Sequence, residues 1–115
     1  MTKRYLVFAK YNGHCAYCGQ KIEIKDMQID HIQPKCNGGL NSIENLNPSC
    51  RLCNHYKRSL TLEKYRELLK TLHLRIEKDY KNKVAIKYGL LKVEPFDGKF
   101  YFEKKISESE VNNAR

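Results

Sequence analysis

Apolar side chains recur along the chain with two different periods, and each change of period marks an element. Over residues 3–11, Leu6, Val7 and Ala9 with Tyr5 and Phe8 around them fit a short helix that ends at Asn12-Gly13. The segment Met27–Ile32 alternates, which predicts a short strand stopped by Pro34, with Lys21–Ile24 as the expected partner strand. Residues 34–48 carry Pro34, the Gly38-Gly39 pair and several Asn and Ser, the composition of a turn-rich loop, and regular structure is expected to resume at Ser49 or Cys50. From Thr61 onward, Leu62, Tyr65, Leu69, Leu72, Ile76, Tyr80, Val84 and Tyr88 keep three-and-four spacing up to Gly89. This predicts one long amphipathic helix whose weakest point is near Asn82. Apolar runs on either side of Asp97-Gly98 predict a C-terminal hairpin, and the polar residues 107–115 predict a disordered tail.

These elements suffice for one domain over residues 1–106, with a core at about 4–58 and an extension over 59–106. Composition adds a difficulty: 41% hydrophobic residues and no Trp make a thin core for 115 residues, so a further staple is expected. The cysteines supply it. The opening apolar run, Tyr5–Ala9, is too short for a signal peptide or a membrane span, which points to the cytoplasm, where thiols stay reduced. Cys15 and Cys18 form one CxxC pair and Cys50 and Cys53 another, and four such thiolates make a closed tetrahedral site for a structural Zn²⁺. The stretch between the pairs is long enough to hold a site of its own. Cys36 falls outside both pairs and is expected to be a free thiol.

Charge narrows the partner. Lys and Arg number 22 against 13 acidic residues, a net charge of +9, which favours a polyanion without separating DNA from RNA or an anionic surface.

The runs CAYCG, IDHIQP, NGGLNSIENL and CRLCNHYK resemble the HNH endonuclease family in residue type, order and spacing, across roughly Arg4 to Lys57. The later helix and hairpin are similar, less specifically, to the tails of small phage-type members. The resemblance implies an α+β fold: a ββα-metal (His-Me) finger stapled by a four-cysteine zinc site, with an added long helix and C-terminal β-hairpin. It also implies hydrolysis of DNA phosphodiester bonds, leaving a 3′-hydroxyl and a 5′-phosphate. His31, with a reference pKa of ~6.5, can accept a proton from water and would be the general base. Asp30 would hold one divalent ion, Mg²⁺ or Mn²⁺. The third metal-site position falls on Asn54, an HNN-like variant, or on His55, one residue and about 100° further around a helix; Asn54 is favoured. Asn45 would hold the loop and so orient His31, while Lys57 and Arg58 would grip phosphates beside the scissile one. Because Asp30 and His31 alternate along a strand, a bend or bulge is expected there. DNA is the expected partner and a membrane is not; a protein partner or a second copy is left open. The competing class is a non-catalytic zinc-finger module that binds nucleic acid.

Overall fold

The computed structural model describes residues 2–113, with side chains through Glu108. In chain order the elements are α1 (Lys3–Ala9), β1 (Gln28–His31), β2 (Leu46–Ser49), α2 (Arg51–Lys57), α3 (Leu62–Lys70), α4 (Leu72–Lys78), α5 (Tyr80–Lys87) and α6 (Tyr101–Asn113), with short 3-10 turns at Ile24–Asp26, Lys35–Asn37 and Ile43–Asn45. They fall into two compact units, residues 1–62 with 100–115, and residues 63–99. None of the described helices is long and apolar enough to cross a membrane.

In the first unit, the Thr2 side chain caps α1 by accepting from the Tyr5 N–H at 3.1 Å, and the helix unwinds at Asn12 and Gly13, whose φ angles of 54° and 81° turn the chain. Val7 on its inner face is fully buried with Met27 and Leu46, and Phe8, Ile22, Ile29 and Ile43 pack around them. Two basic side chains of the N-terminal segment, exposed Arg4 and half-buried Lys10, bond to backbone carbonyls around this core. Arg4 donates to the carbonyls of Ile24 and Met27 (2.6 and 2.7 Å), and Lys10 to those of Ile43 and Leu46 (3.0 and 2.6 Å).

β1 and β2 form a two-stranded antiparallel sheet with Gln28 opposite Ser49 and His31 opposite Leu46. The partner of β1 is therefore not Lys21–Ile24: Lys21 bridges His14 across a tight turn, and Ile24 enters a 3-10 turn held by Arg4. β2 lies inside the stretch expected to be loop, since its sequence Leu-Asn-Pro-Ser reads as turn chemistry. Pro48 is tolerated because of register. The Ile32 N–H donates to Asn45 O, so the hydrogen-bonded pairs continue at Asp30↔Asn47 and Gln28↔Ser49. Pro48 then sits opposite Ile29 at a non-bonded position, where its missing N–H costs no ladder bond, and its carbonyl accepts from the Ala16 N–H at 2.8 Å.

Helix α6 occupies the place of the second arm of the expected hairpin. Asp97-Gly98 does turn the chain: Gly98 has φ 89° and the Asp97 carboxylate accepts from the Lys99 N–H. The next residues, however, bury Phe100 and Phe102 beside Tyr17 instead of pairing as a strand. The Glu103 carboxylate accepts from the Phe100 N–H at 2.8 Å, one half of a capping box. Orphan N–H groups at the helix start donate to the turn between Cys15 and Cys18: Tyr101 N to Tyr17 O and Phe102 N to Ala16 O. α6 continues to Asn113 through residues that were expected to be disordered, since nothing in Ser107–Asn113 breaks a helix; residues 114 and 115 lie outside the described chain.

The second unit holds three short helices rather than one long one. The Thr71 hydroxyl bonds back to the Glu67 and Leu68 carbonyls where α3 ends. Asp79, at ψ 131°, leaves α4 and caps α5 by accepting from the Asn82 N–H. The break thus falls three residues before Asn82, whose own side chain ties back to the Ile76 carbonyl. Gly89 stops α5 as expected, with Gly89 N donating to Ile86 O and Leu90 N to Ala85 O, a Schellman closure. Tyr65 is buried, but Tyr80 and Tyr88 are exposed, so the apolar stripe does not continue to its end as a core.

Candidate metal centre and active-site cleft

The four paired cysteines converge. Their sulfurs all lie within 4.8 Å of one another, and Cys18 Sγ is 3.9 Å from Cys50 Sγ. A tetrahedron with metal–sulfur bonds of ~2.3 Å has sulfur edges of about 3.8 Å, so the frame fits a metal such as zinc. Each half presents a backbone donor to sulfur: Gln20 N–H to Cys18 Sγ at 3.5 Å and Cys53 N–H to Cys50 Sγ at 3.4 Å. Hydrogen bonding from Cys53 pushes the Cys15 thiol well below its usual range, and the same contact holds Cys53 above it. The paired thiols thus share their protons unevenly, and a metal held by the four sulfurs would require all of them as thiolates. Cys36 is exposed and apart from this cluster.

A second set of residues meets at the end of β1. One open cleft is lined by Asp30, His31, Asn54 and Arg58 together with Ile29, Pro34, Lys35, Cys36 and Ser59. The expected bulge is absent, because β1 stays in register through Asp30↔Asn47 and His31↔Leu46. Asp30 is only 3% exposed, while His31 is half-buried and its Nε2 lies 2.7 Å from Asn41 Oδ1. Asn54 lines the cleft from α2; His55, the next residue, is exposed on that helix outside it.

Asn45 stands behind the loop rather than in the cleft. Its Oδ1 accepts from the Gln33 N–H at 2.9 Å, and its Nδ2 donates to the carbonyls of Gln33 and Leu40 at 3.1 and 2.8 Å. The side chain thus ties together the two ends of the loop that follows His31. Gly39 is required nearby: a Cβ there would fall 1.7 Å from the Gln33 carbonyl oxygen.

Lys57 departs from expectation. Instead of reaching outward to phosphate, its side chain is completely buried, with Nζ 3.1 Å from Asp30 Oδ2 and 3.3 Å from Oδ1. The ammonium also donates to the carbonyls of His31 and Leu60 at 3.1 and 2.9 Å. A buried cation needs a buried anion, and among the described residues Asp30 is paired with it. Asp30 also accepts from the Tyr17 hydroxyl. Burial pushes the Asp30 carboxyl above its ordinary value, against the opposing pull of Tyr17 and Lys57, and burial likewise keeps the Tyr17 hydroxyl protonated. Arg58 is exposed and lines the cleft, held at φ 53°, a value few side chains adopt.

Tyr17, Asn41 and Lys35, none of them marked by the sequence, also meet this site: Tyr17 bonds Asp30, Asn41 bonds His31 and Lys35 lines the cleft. Tyr17 was legible only as a spacer between two cysteines, and Asn41 and Lys35 as ordinary loop residues.

A four-cysteine cluster that could hold a metal thus stands in the same compact unit as an open cleft lined by Asp30, His31 and Asn54. Residues 15–59 match the HNH endonuclease family, so the resemblance drawn from the sequence holds over this segment. The chain is 40% identical over 55 residues to the CRISPR-associated endonuclease Cas9 of Corynebacterium diphtheriae, which covers 47% of this chain and 5% of that protein. Its fold is similar to that in the crystal structure of the Type II-C Cas9 enzyme from Actinomyces naeslundii, with a TM-score of 0.53 and 20% identity, over 81% of this chain and 13% of the other. The chain thus spans a small part of the length of these relatives.

Proposed function

We propose that this chain is a divalent-metal-dependent endonuclease that hydrolyses phosphodiester bonds of DNA. The observation that carries the reading is the convergence of Asp30, His31 and Asn54 on one open cleft, flanked by the exposed cations Lys35 and Arg58. The family match over residues 15–59 supports the class of reaction, and the net charge of +9 supports a polyanionic substrate.

In the tautomer whose Nε2–H donates to Asn41 Oδ1, His31 has the Nδ1 lone pair with which to accept a proton from water. The water oxygen attacks phosphorus, the bond to the 3′ oxygen breaks, and that oxygen takes a proton from solvent, giving a 3′-hydroxyl and a 5′-phosphate. Asp30 and Asn54 would hold the Mg²⁺ or Mn²⁺ ion, which supplies positive charge to offset the developing charge on the departing oxygen. Asn45 keeps the loop after His31 in place, and Arg58 and Lys35 receive the flanking phosphates. Cys15, Cys18, Cys50 and Cys53 would hold Zn²⁺, joining the turn before β1 to the start of α2.

The test is incubation of supercoiled, linear duplex, single-stranded and branched DNA with the zinc-loaded protein in Mg²⁺, Mn²⁺ or chelator. Ion-dependent cutting is expected. Binding without cutting on every substrate would make the chain a non-catalytic nucleic-acid-binding module.

A further inference from the structure

We propose that Tyr17 is a positioning residue that holds the Asp30 carboxylate for its ion and so couples the four-cysteine frame to the cleft. The inference rests on the reading of Asp30 as a ligand of the divalent ion.

Tyr17 sits between Cys15 and Cys18, so its backbone is part of the turn that presents two of the four sulfurs. That turn is held on two sides. Ala16 N–H donates to the Pro48 carbonyl in β2, and the carbonyls of Ala16 and Tyr17 accept from Phe102 and Tyr101 at the start of α6. Tyr17 is 5% exposed, and its ring packs edge-on against Phe100 and Phe102, with centroids 5.4 and 6.0 Å away. A ring fixed in this way leaves its hydroxyl little choice of position, and it donates to Asp30 Oδ2.

The hydrogen bonding is uneven across the carboxylate. Oδ2 receives Tyr17 and the nearer Lys57 contact at 3.1 Å, whereas Oδ1 has the longer Lys57 contact at 3.3 Å. Oδ2 thus accepts two contacts and Oδ1 one, so Oδ1 keeps the greater lone-pair capacity for an ion in the cleft that Asp30 lines. Partners that orient a ligating group commonly change metal affinity by about tenfold or more. Here the orienting group belongs to the cysteine turn, so loss of the metal from that turn would release the Asp30 carboxylate as well.

The experiment compares wild type with Tyr17→Phe, which keeps the ring and removes the hydroxyl, and with Asp30→Asn. Mn²⁺ affinity is measured on the zinc-loaded proteins by calorimetry, beside zinc content, thermal unfolding and DNA affinity. Tyr17→Phe is expected to keep its zinc and DNA affinity while Mn²⁺ binding weakens about tenfold. In a parallel arm, ¹¹³Cd replaces zinc: adding Mg²⁺ shifts the ¹¹³Cd resonance in wild type, and the response is lost in Tyr17→Phe. An Mn²⁺ affinity that stays the same or tightens in Tyr17→Phe while falling in Asp30→Asn overturns the role of Tyr17 and leaves the nuclease reading intact. An Mn²⁺ affinity unchanged in Asp30→Asn overturns the ligand assignment and this inference with it. Should Tyr17→Phe fail to fold, the wild-type ¹¹³Cd response decides: a shift with Mg²⁺ supports the coupling, and no shift overturns it.

Discussion

Replacing Lys57 with Met removes a charge that the fold keeps inside. Met fills most of the volume of the lysine stem, so the packing loss is small and the electrostatic loss dominates. Removing one partner of a buried ion pair costs about 3–5 kcal/mol, because the other charge is left uncompensated. Asp30 keeps the Tyr17 hydroxyl and lines an open cleft, which places the cost near the lower end, at about 3 kcal/mol. For a domain of this size that lowers Tm by roughly 12 °C or more. The penalty depends on pH with a definite sign. Burial holds the folded Asp30 pKa above its ordinary value, and losing Lys57 raises it further, so the cost of ionising the carboxyl is complete above the folded pKa and fades as pH falls toward the ordinary ~3.9. Urea and thermal unfolding of the zinc-loaded protein, taken from neutral pH down to where zinc is lost, should show the mutant and wild-type curves converging. Adding Asp30→Asn to Lys57→Met should cost less than the two changes summed. A Lys57→Met cost under ~1 kcal/mol together with a salt slope of DNA binding reduced by about one, the behaviour of a surface phosphate contact, would refute the buried pair.

Cys53→Ser should lose the structural metal and unfold or strongly destabilise the first unit, while Cys36→Ser leaves metal content unchanged; metal analysis of the purified variants decides. Asn54→Ala should weaken the divalent ion dependence of cleavage more than His55→Ala, and the opposite order in metal titrations would move the ligand role to His55. Gly39→Ala should displace the loop after His31, lowering stability by about 1–3 kcal/mol and reducing cleavage, because the new Cβ meets the Gln33 carbonyl; an unchanged melting curve would refute the close approach.

Spacing made the cysteine frame legible, since the two CxxC pairs converge as four neighbouring sulfurs, whereas Asp30-His31, Asn45 and Asn54 are singled out by the resemblance alone. What escaped was chemistry decided by partners far away in the chain. Lys57 reads locally as an exposed cation at a helix end; only the approach of Asp30, 27 residues earlier, shows that it is buried. Asn41 is one of several asparagines in a turn-rich loop, and composition does not single out the one that reaches His31. β2 was hidden because Asn47, Pro48 and Ser49 are turn formers, and only the register places Pro48 where no ladder bond is needed. The hairpin expected at Asp97-Gly98 was half right in its turn. The aromatic run that follows found a better burial beside Tyr17 than a strand pairing offers. Between α3 and α5 the apolar period runs on unbroken, while the breaks come from Thr71 and Asp79, whose side chains compete locally for backbone groups.

The central claim, that His31 is the proton acceptor in phosphodiester hydrolysis, is tested most directly by His31→Ala. The variant is expected to keep its metal-stapled fold and to bind DNA with the same steep salt dependence as wild type, because one neutral imidazole adds little to the neutralisation of phosphates. Single-turnover cleavage in saturating Mg²⁺ should fall by at least ~10²-fold, the lower range of what a positioned base contributes. A folded, DNA-bound His31→Ala protein that cuts at the wild-type rate would contradict the account.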